Sequence, residues 1–358
     1  MKVLHFIHSL DSAIGGPARS VPGLGLALER AGVDISIASW VPPSDDLETQ
    51  PVGYVRLSRE GWRSRLRGHV KEQDLIHVHG VWDPIVELVC HYARAERVPY
   101  IVTPRGSLDQ WSLTQKRFKK WLAWSLYQKR TLQRAAGIHV TSSSEMEQVK
   151  VLGITTRILL APNAVDLPEL SVRSGGVGSV CRQACFISRI HEKKGVDLLL
   201  DAWSAVAPQG WELTIAGPGA TTDVDRLRSR LKDLPSVSYV GAISDREKWT
   251  LYSRSELFIL PTHTENFGIV IAEAMASGCA VITTTGAPWQ VVRDVEAGWW
   301  IERELPSLVA AIDSATRSNV DELREMGRRG RRVIETAFTW PAVAEQVKAL
   351  YESILDAG

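Results

Sequence analysis

The sequence predicts an α/β protein made of two Rossmann-like, doubly wound domains in tandem. Three observations predict it. The chain has 358 residues, too many for one compact doubly wound unit and comfortable for two. Short apolar runs rich in β-formers alternate with longer helical patterns, which argues a parallel sheet covered on both faces. The alternation lapses over 167–180, LPELSVRSGGVGSV, where Gly, Ser and Pro accumulate, and then restarts.

In the first half, strands are read at 3–7, 34–39, 74–79, 100–103, 137–141 and 157–160. A helix over 18–31 gathers Leu24, Leu26, Ala27 and Leu28 on its apolar face. In the second half, strands are read at 184–188, 211–216, 237–240, 257–260 and 280–283. Helices are read there at 196–206, 222–231, 247–253, 268–277 and 321–336. A last helix, 340–355, places Val343, Val347, Leu350, Tyr351 and Ile354 at helical spacing. The expected organisation is a domain at 1–166, a linker at 167–180, a domain at 181–338 and a terminal helix within 339–358. Open α/β domains form their crevices at the carboxyl ends of strands. Two crevices facing each other would make one cleft, suited to two substrates that must react away from water.

Composition sets outer limits. Hydrophobic residues make up 44% and charged residues 23%, as in ordinary globular proteins, and the net charge of +1 gives no bulk attraction to nucleic acid. Cys181 and Cys185 lie four apart without a second Cys or His pair at zinc spacing. Together with Cys90 and Cys279 they are expected to be reduced, buried or strand-flanking thiols. The start, MKVLHFIHSL, is too short in apolar length for a signal-peptide core, and no run reaches membrane-helix length. A cytoplasmic location is expected. The 13 Trp residues are expected mainly in core and interdomain packing.

Five segments can carry chemistry. In PTHTENFGIVIAEAMASGCAVITT, 261–284, a strand runs into a loop with Glu265 and then a helix with Glu273. Backbone N–H groups from Asn266, Phe267 and Gly268 to Ile269, with the positive helix end, suit phosphate or sugar oxygens. Glu273 could accept a ribose diol; the structural alternative makes it one half of a buried pair and Glu265 a solvated loop acid. In FISRIHEKKGVD, 186–197, Arg189 and Lys194 lie five apart and can neutralise a diphosphate leaving group. No acidic metal-binding pair such as Asp-x-Asp is read in the chain, so these cations would stand in for a metal. In DLIHVHGVWDP, 74–84, His77 and His79 end a strand. The expectation is that they face opposite sides, one buried and hydrogen-bonded, the other in the cleft. In SAIGGPARS, 12–20, Gly15 and Gly16 let backbone approach a ligand, although this is not the dinucleotide Gly-x-Gly-x-x-Gly pattern. In TPRGSLDQW, 103–111, Arg105 sits after a strand at the expected cleft rim, either binding an anionic acceptor group or phosphate or serving a structural role.

The pair Glu265 and Glu273 within PTHTENFG…EAMASGCAVI resembles the signature of the retaining glycosyltransferases of family 4, which have the GT-B fold. SRIHEKKGVDLLLDA resembles their Gly-Arg-x-x-x-x-Lys-Gly loop, with Ser188 in place of Gly. APNAVD resembles their Pro-Asn-Gly-Val-Asp segment, with Ala164 in place of Gly. IAGPG and GGPARS also fit, and DLIHVHGVWDP with TPRGSLDQW resembles the bacterial exopolysaccharide and lipopolysaccharide branch. The resemblance covers nearly the whole chain.

It implies an acceptor-side first domain, a nucleotide-sugar-binding second domain, and a final helix crossing back onto the first. Arg189 and Lys194 would hold the donor diphosphate and Glu273 the ribose. Glu265, with backbone N–H groups of Asn266, Phe267 and Gly268, would hold the donor sugar. His79 would lie beside its anomeric region, and Gly15 and Gly16 would line the phosphate or acceptor side. The implied reaction moves a hexose-type sugar, with retention and no metal, from a UDP- or GDP-sugar co-substrate to a saccharide or lipid-linked acceptor. No other cofactor is implied. Alternatives are a GT-B epimerase or phosphorylase, or a non-catalytic nucleotide-sugar-binding protein. Finally, 116–130, KRFKKWLAWSLYQKR, is basic and aromatic at helical spacing. It reads as a packed helix with a solvated basic face, or as a peripheral contact with an anionic membrane.

Overall fold

The computed structural model describes residues 1–11, 16–44, 51–57, 61–169 and 181–357. The chain divides into two compact units, Met1–Ala164 with Trp340–Gly358, and Val165–Thr339.

The first unit contains, in order, β1 (Lys2–Ser9), α1 (Gly16–Arg30), β2 (Asp34–Val41), β3 (Tyr54–Arg56), α2 (Trp62–Lys71), β4 (Leu75–His79), α3 (Pro84–Glu96) and β5 (Tyr100–Thr103). It continues with α4 (Gln110–Thr114), α5 (Arg117–Ala123), a π-turn at Trp124–Gln128, α6 (Lys129–Gln133), β6 (Gly137–Val140), α7 (Ser143–Val151) and β7 (Ile158–Leu160). The second unit holds β8 (Arg182–Ile187), α8 (Val196–Val206), β9 (Trp211–Ala216), α9 (Thr221–Leu231), β10 (Val237–Tyr239), α10 (Asp245–Arg254), β11 (Leu257–Leu260) and α11 (Ile269–Ala276). Then come β12 (Ala280–Thr284), α12 (Val291–Asp294), β13 (Gly298–Ile301), α13 (Leu305–Arg317) and α14 (Val320–Ala337); α15 (Trp340–Leu355) returns to the first unit.

Both sheets are parallel and run in the orders β3-β2-β1-β4-β5-β6-β7 and β10-β9-β8-β11-β12-β13. Strand order reverses between β1 and β4 in one and between β8 and β11 in the other. Such switch points open a crevice at the strands' carboxyl ends. The two units are Rossmann-like and of the GT-B class.

Local sequence explains the boundaries. Asp83 caps α3 by accepting N–H bonds from Ile85 and Val86, with Pro84 in the first turn. Ser244 and Glu247 box the start of α10, and Asn319 and Glu322 that of α14. Near-continuous apolar runs such as Leu257–Leu260 are buried on both faces, as helix-covered parallel strands must be.

The sequence reading omits several elements, including α2, α3, α7, α13, the short edge strand β3 and the strand β13. In β13 the Trp299–Trp300 pair is half-buried, and Trp300 donates to the Ala287 carbonyl at 2.9 Å. Of the expected linker, 170–180 lie outside the described residues, and 167–169 fall in the second unit. That unit begins at Val165, whose N–H donates to the Phe338 carbonyl at 2.9 Å. Cys90, Cys185 and Cys279 are buried, Cys181 is half-buried, and none of the four is in a disulfide.

In the first unit, even-numbered strand residues such as Leu4, Phe6, Ile76, Val78, Tyr100, Val102, Ile138 and Val140 pack in one cluster. Odd-numbered Val3, Ile7, Leu75 and Ile101 pack on the other face with Leu24, Leu28, Val343, Val347 and Tyr351. The face under α1 and α15 therefore also receives His5, His77, His79, Thr103 and His139.

Candidate active site

In the second unit, the carboxyl ends of β8 and β11 bring two of the expected residues together. A short 3-10 turn, Glu192–Lys194, follows β8, and Gly195 (φ 75°) links it to α8. A Cβ on Gly195 would stand 2.1 Å from the Pro261 carbonyl oxygen, so only glycine lets this turn press onto the exit of β11. Two bonds fasten the contact: His263 N–H to the Lys193 carbonyl at 2.8 Å, and the Thr262 hydroxyl to the same oxygen at 3.1 Å. Across it, Lys194 Nζ meets Glu265 Oε1 at 2.5 Å, both side chains largely buried. Thr262 Oγ1 lies 2.9 Å from the same carboxylate oxygen, and Glu265 N–H donates to the Gly286 carbonyl at 2.8 Å. The loop acid is thus one half of an ion pair.

Arg189 is exposed. The substitution at Ser188 leaves the strand exit regular: Ser188 N–H donates to Ala216 O at 3.1 Å, and its carbonyl lies where a Cβ on Gly217 (φ 135°) would be 1.9 Å away. Ala164 is buried in the first unit's core.

Glu273 sits in α11 and is almost fully buried. Its carboxylate accepts from Lys248 Nζ at 2.6 Å and from the Tyr252 hydroxyl at 3.2 Å, and Lys248 also pairs with Asp245 at 3.1 Å. Burial raises the Glu273 pKa while Lys248 pulls it down; burial likewise opposes the Lys248 charge, but the carboxylate overcomes this and raises it. Lys248 and Tyr252 carry no motif in the sequence. Asn266, Phe267 and Gly268 form the entry to α11, where first-turn N–H groups lack helical partners. Phe267 is buried against Trp289 and Phe338, its carbonyl accepting from Trp289 Nε1, and Gly268 (φ 79°) caps the helix.

The chain does contain one Asp-x-Asp run, Asp223–Val224–Asp225, contrary to the sequence reading. It lies in the first turn of α9, where residues two apart point away from each other and do not converge on one ion. Asp223 pairs instead with Arg226 at 3.6 Å.

In the first unit, the expectation that His77 and His79 face opposite sides is corrected. Strand side chains alternate with period two, so residues two apart share a face. Both imidazoles are buried, with ring centroids 4.3 Å apart. Register places His5 beside His77 and His79 beside Thr103. The result is a continuous hydrogen-bonded chain. Arg105 Nη2 reaches His79 Nδ1 (3.2 Å), and His79 Nε2 reaches His5 Nδ1 (3.0 Å). His5 Nε2 reaches Tyr351 Oη (3.0 Å), which reaches His77 Nδ1 (2.6 Å). His77 Nε2 reaches Thr103 Oγ1 (2.6 Å), Thr103 reaches His139 Nδ1 (3.0 Å), and His139 Nε2 ends on the Ala161 carbonyl (2.9 Å).

The ends set its direction. Arginine can only donate and a carbonyl can only accept. With neutral rings, every imidazole must then carry its proton on Nε2, and every hydroxyl must donate onward. Burial, together with the Arg105 charge, keeps the rings neutral: the pKa falls to about 3 for His5, to about 4 for His139, and well below the usual value for His77 and His79. Ring nitrogens of His5, His77 and His79 lie within 4.8 Å of one another, but each already faces a partner in this chain.

Two families match the sequence. "Glycosyl transferases group 1" matches residues 181–318, and "Glycosyl transferase 4-like domain" matches residues 15–164. The second half of the chain is thus similar to the group 1 glycosyl transferases and the first half to the glycosyl transferase 4-like domain. Among relatives of this chain, the phosphatidyl-myo-inositol mannosyltransferase of Mycobacterium tuberculosis is 30% identical over 62% of this chain and 60% of its own length. The chain therefore spans less than two thirds of that relative. The glycogen synthase of Mycobacterium tuberculosis is 25% identical over 94% of this chain and 91% of its own length. In fold, HepE of Anabaena, solved in complex with UDP and glucose, superposes with a TM-score of 0.77 at 15% identity over 99% of this chain and all of that one.

Of the remaining expected residues, Gly15 lies outside the described residues, and Gly16 opens α1 with open space around it. Arg105 joins Ser20 of α1 and Asn163 to His79. His5, Thr103, His139 and Tyr351 were missed by sequence reasoning. Correct use of the period-two rule on β1, β4, β5 and β6 would have placed all but Tyr351 on one face.

Proposed function

We propose that this protein is a glycosyltransferase that moves a hexose-type sugar from a UDP- or GDP-sugar onto a saccharide or lipid-linked saccharide, in the synthesis of a bacterial surface polysaccharide. The observation that carries this reading is the Lys194–Glu265 pair at the switch point of the second unit. An ammonium and a carboxylate with its neighbouring helix entry are the groups needed to hold a diphosphate and the hydroxyls of its sugar. Glu273 takes the ribose of the same nucleotide by exchanging its internal partners for the diol. The reading is also supported by the two glycosyl transferase family matches and by relatives whose names include a mannosyltransferase and a glycogen synthase.

The acceptor hydroxyl attacks the anomeric carbon on the face from which the diphosphate leaves, so configuration is retained. The departing phosphate takes the acceptor proton. Arg189 and Lys194 meet the charge that grows on it, and no metal is required for that task. Removing one such preorganised cation costs roughly 10² to 10³ in rate. The test is turnover of Lys194→Ala at saturating donor, after a thermal-shift screen has identified the donor from UDP- and GDP-sugars. Near wild-type turnover in that variant would falsify the assignment.

Peripheral membrane contact through α5 and the turn after it belongs to the same proposal. From 110 to 144 the chain has seven Lys and Arg residues and no acid, a strong bias in a chain of net charge +1. Trp124 and Tyr127 turn inward, the latter donating to the Trp82 carbonyl, while Phe118, Trp121, Leu122 and Leu126 are exposed, Phe118 by 74% and Leu126 by 69%. Exposed aromatic and aliphatic side chains flanked by cations match an anionic bilayer surface. Among the described residues no helix is long and apolar enough to cross a membrane. Sedimentation with liposomes, with and without anionic lipid, decides: equal binding to both types, or none, removes the contact.

A further inference from the structure

Arg105 carries a charge that no bonded group around it balances. It stands in the left-handed region (φ 56°) just after β5, a strained conformation outside glycine. Glu145 holds that turn, its carboxylate accepting from Gly106 N–H at 2.6 Å and Thr141 N–H at 2.9 Å. The guanidinium itself donates to three uncharged acceptors: Ser20 Oγ (2.9 Å), Asn163 Oδ1 (3.1 Å) and His79 Nδ1 (3.2 Å). Three of its five N–H groups are thereby used, while Nε is buried and faces no partner. The neutral, one-way histidine chain behind it supplies no negative charge. Burial lowers the Arg105 pKa to about 10, against the pull of Glu145 and Tyr351. A desolvated cation with a spare donor is a costly arrangement unless something completes it.

We propose that Arg105 is an anion receptor of the first unit and that it takes a phosphoryl group of the acceptor. Its spare N–H groups offer the planar fork that matches phosphate oxygens. Its Ser20 partner lies in the early turns of α1, so the positive end of that helix adds to the same field. The receptor lies at the carboxyl edge of β5, in the same face as His79 at the β1/β4 switch point. The acceptor assignment rests on the transferase reading above, whose donor phosphates are allotted to Arg189 and Lys194. It narrows the acceptor class to phosphate-bearing saccharides or saccharide carriers.

The test uses the full chain, with melting temperature and calorimetric affinity measured at constant ionic strength for inorganic phosphate, glucose 1-phosphate and UDP. Arg105→Gln should lower affinity for the two phosphates at least tenfold and leave UDP affinity within twofold. Arg105→Lys keeps the charge without the fork and should also lose most of the phosphate affinity. Equal phosphate binding by wild type and both variants overturns the receptor. Parallel loss of UDP binding in Arg105→Gln assigns the guanidinium to the donor and overturns the acceptor claim. Failure of UDP to bind any of the three chains, with Arg105-dependent phosphate binding intact, sinks the transferase reading alone and leaves the receptor standing. Arg105-dependent retention on phosphatidylcholine vesicles doped with dihexadecyl phosphate identifies a lipid-borne phosphoryl group; binding of glucose 1-phosphate alone identifies a soluble one.

Discussion

Tyr351 and His77 are 274 positions apart in sequence, yet the Tyr351 hydroxyl lies 2.6 Å from His77 Nδ1. The same hydroxyl accepts from His5 Nε2 at 3.0 Å. One atom of α15 therefore closes a polar path through four strands of the first sheet, β1, β4, β5 and β6.

Removing that atom has a calculable cost. In Tyr351→Phe, His77 Nδ1 loses its donor and His5 Nε2 its acceptor, both in a buried site. An unsatisfied buried group costs ~1 to 3 kcal/mol, so equilibrium unfolding in urea should show a loss in that range or above it. UDP affinity, which the proposed function allots to the second unit, should not change. A variant as stable as the wild type would mean that the path contributes nothing.

The four neutral histidines also set an acid limit. Their folded pKa values lie below the unfolded value of about 6.5, with His5 at about 3 and His139 at about 4. The unfolded chain therefore binds these protons first as pH falls. Their contribution is whole above pH ~6.5 and drains away as pH falls towards the folded values. Each ring contributes a slope of up to ~1.4 kcal/mol per pH unit, before most carboxylates titrate. Urea unfolding between pH 7.5 and 5 should show a steep loss of stability, reduced in His139→Gln. A flat profile across that window would contradict neutral, buried rings.

Lys248 is expected to matter through Glu273. Lys248→Met leaves a buried carboxylate without its cation, a change costing ~3 to 5 kcal/mol. Adding Glu273→Leu should recover much of the loss in stability without restoring donor binding, because the carboxylate proposed to take the ribose is then missing. If Lys248→Met alone unfolds no more readily than the wild type, Glu273 is not held as a charged pair.

Much of the architecture was legible because strand-helix alternation is a strong periodic signal. Val196–Val206, Trp211–Ala216, Leu257–Leu260 and Trp340–Leu355 are read to the residue. The elements passed over are the ones with weak local signals, such as the three-residue edge strand Tyr54–Arg56. The Lys194–Glu265 approach depends on the turn at Gly195 meeting Pro261, which is 66 positions away and invisible to spacing. Glu273 was assigned a ligand, and its internal partners arrive from a different helix. His77 and His79 were placed on opposite faces because the strand period was misapplied. Tyr351 reads only as an apolar position of α15: the resemblance puts that helix on the first domain, but nothing in its sequence says that the hydroxyl meets His5 and His77.

That helix is translated only after the whole of the second unit. A ribosome making this chain therefore completes a contiguous 165–339 segment while the odd-numbered face of the first sheet still lacks part of its cover. Gly23 stays open until the ring of Trp340 arrives where a Cβ would stand 2.3 Å from it, and Ala31 waits for Lys348. The first unit to be synthesised is thus the last to be finished, and a chain cut short before Trp340 leaves an unsealed histidine ladder facing water.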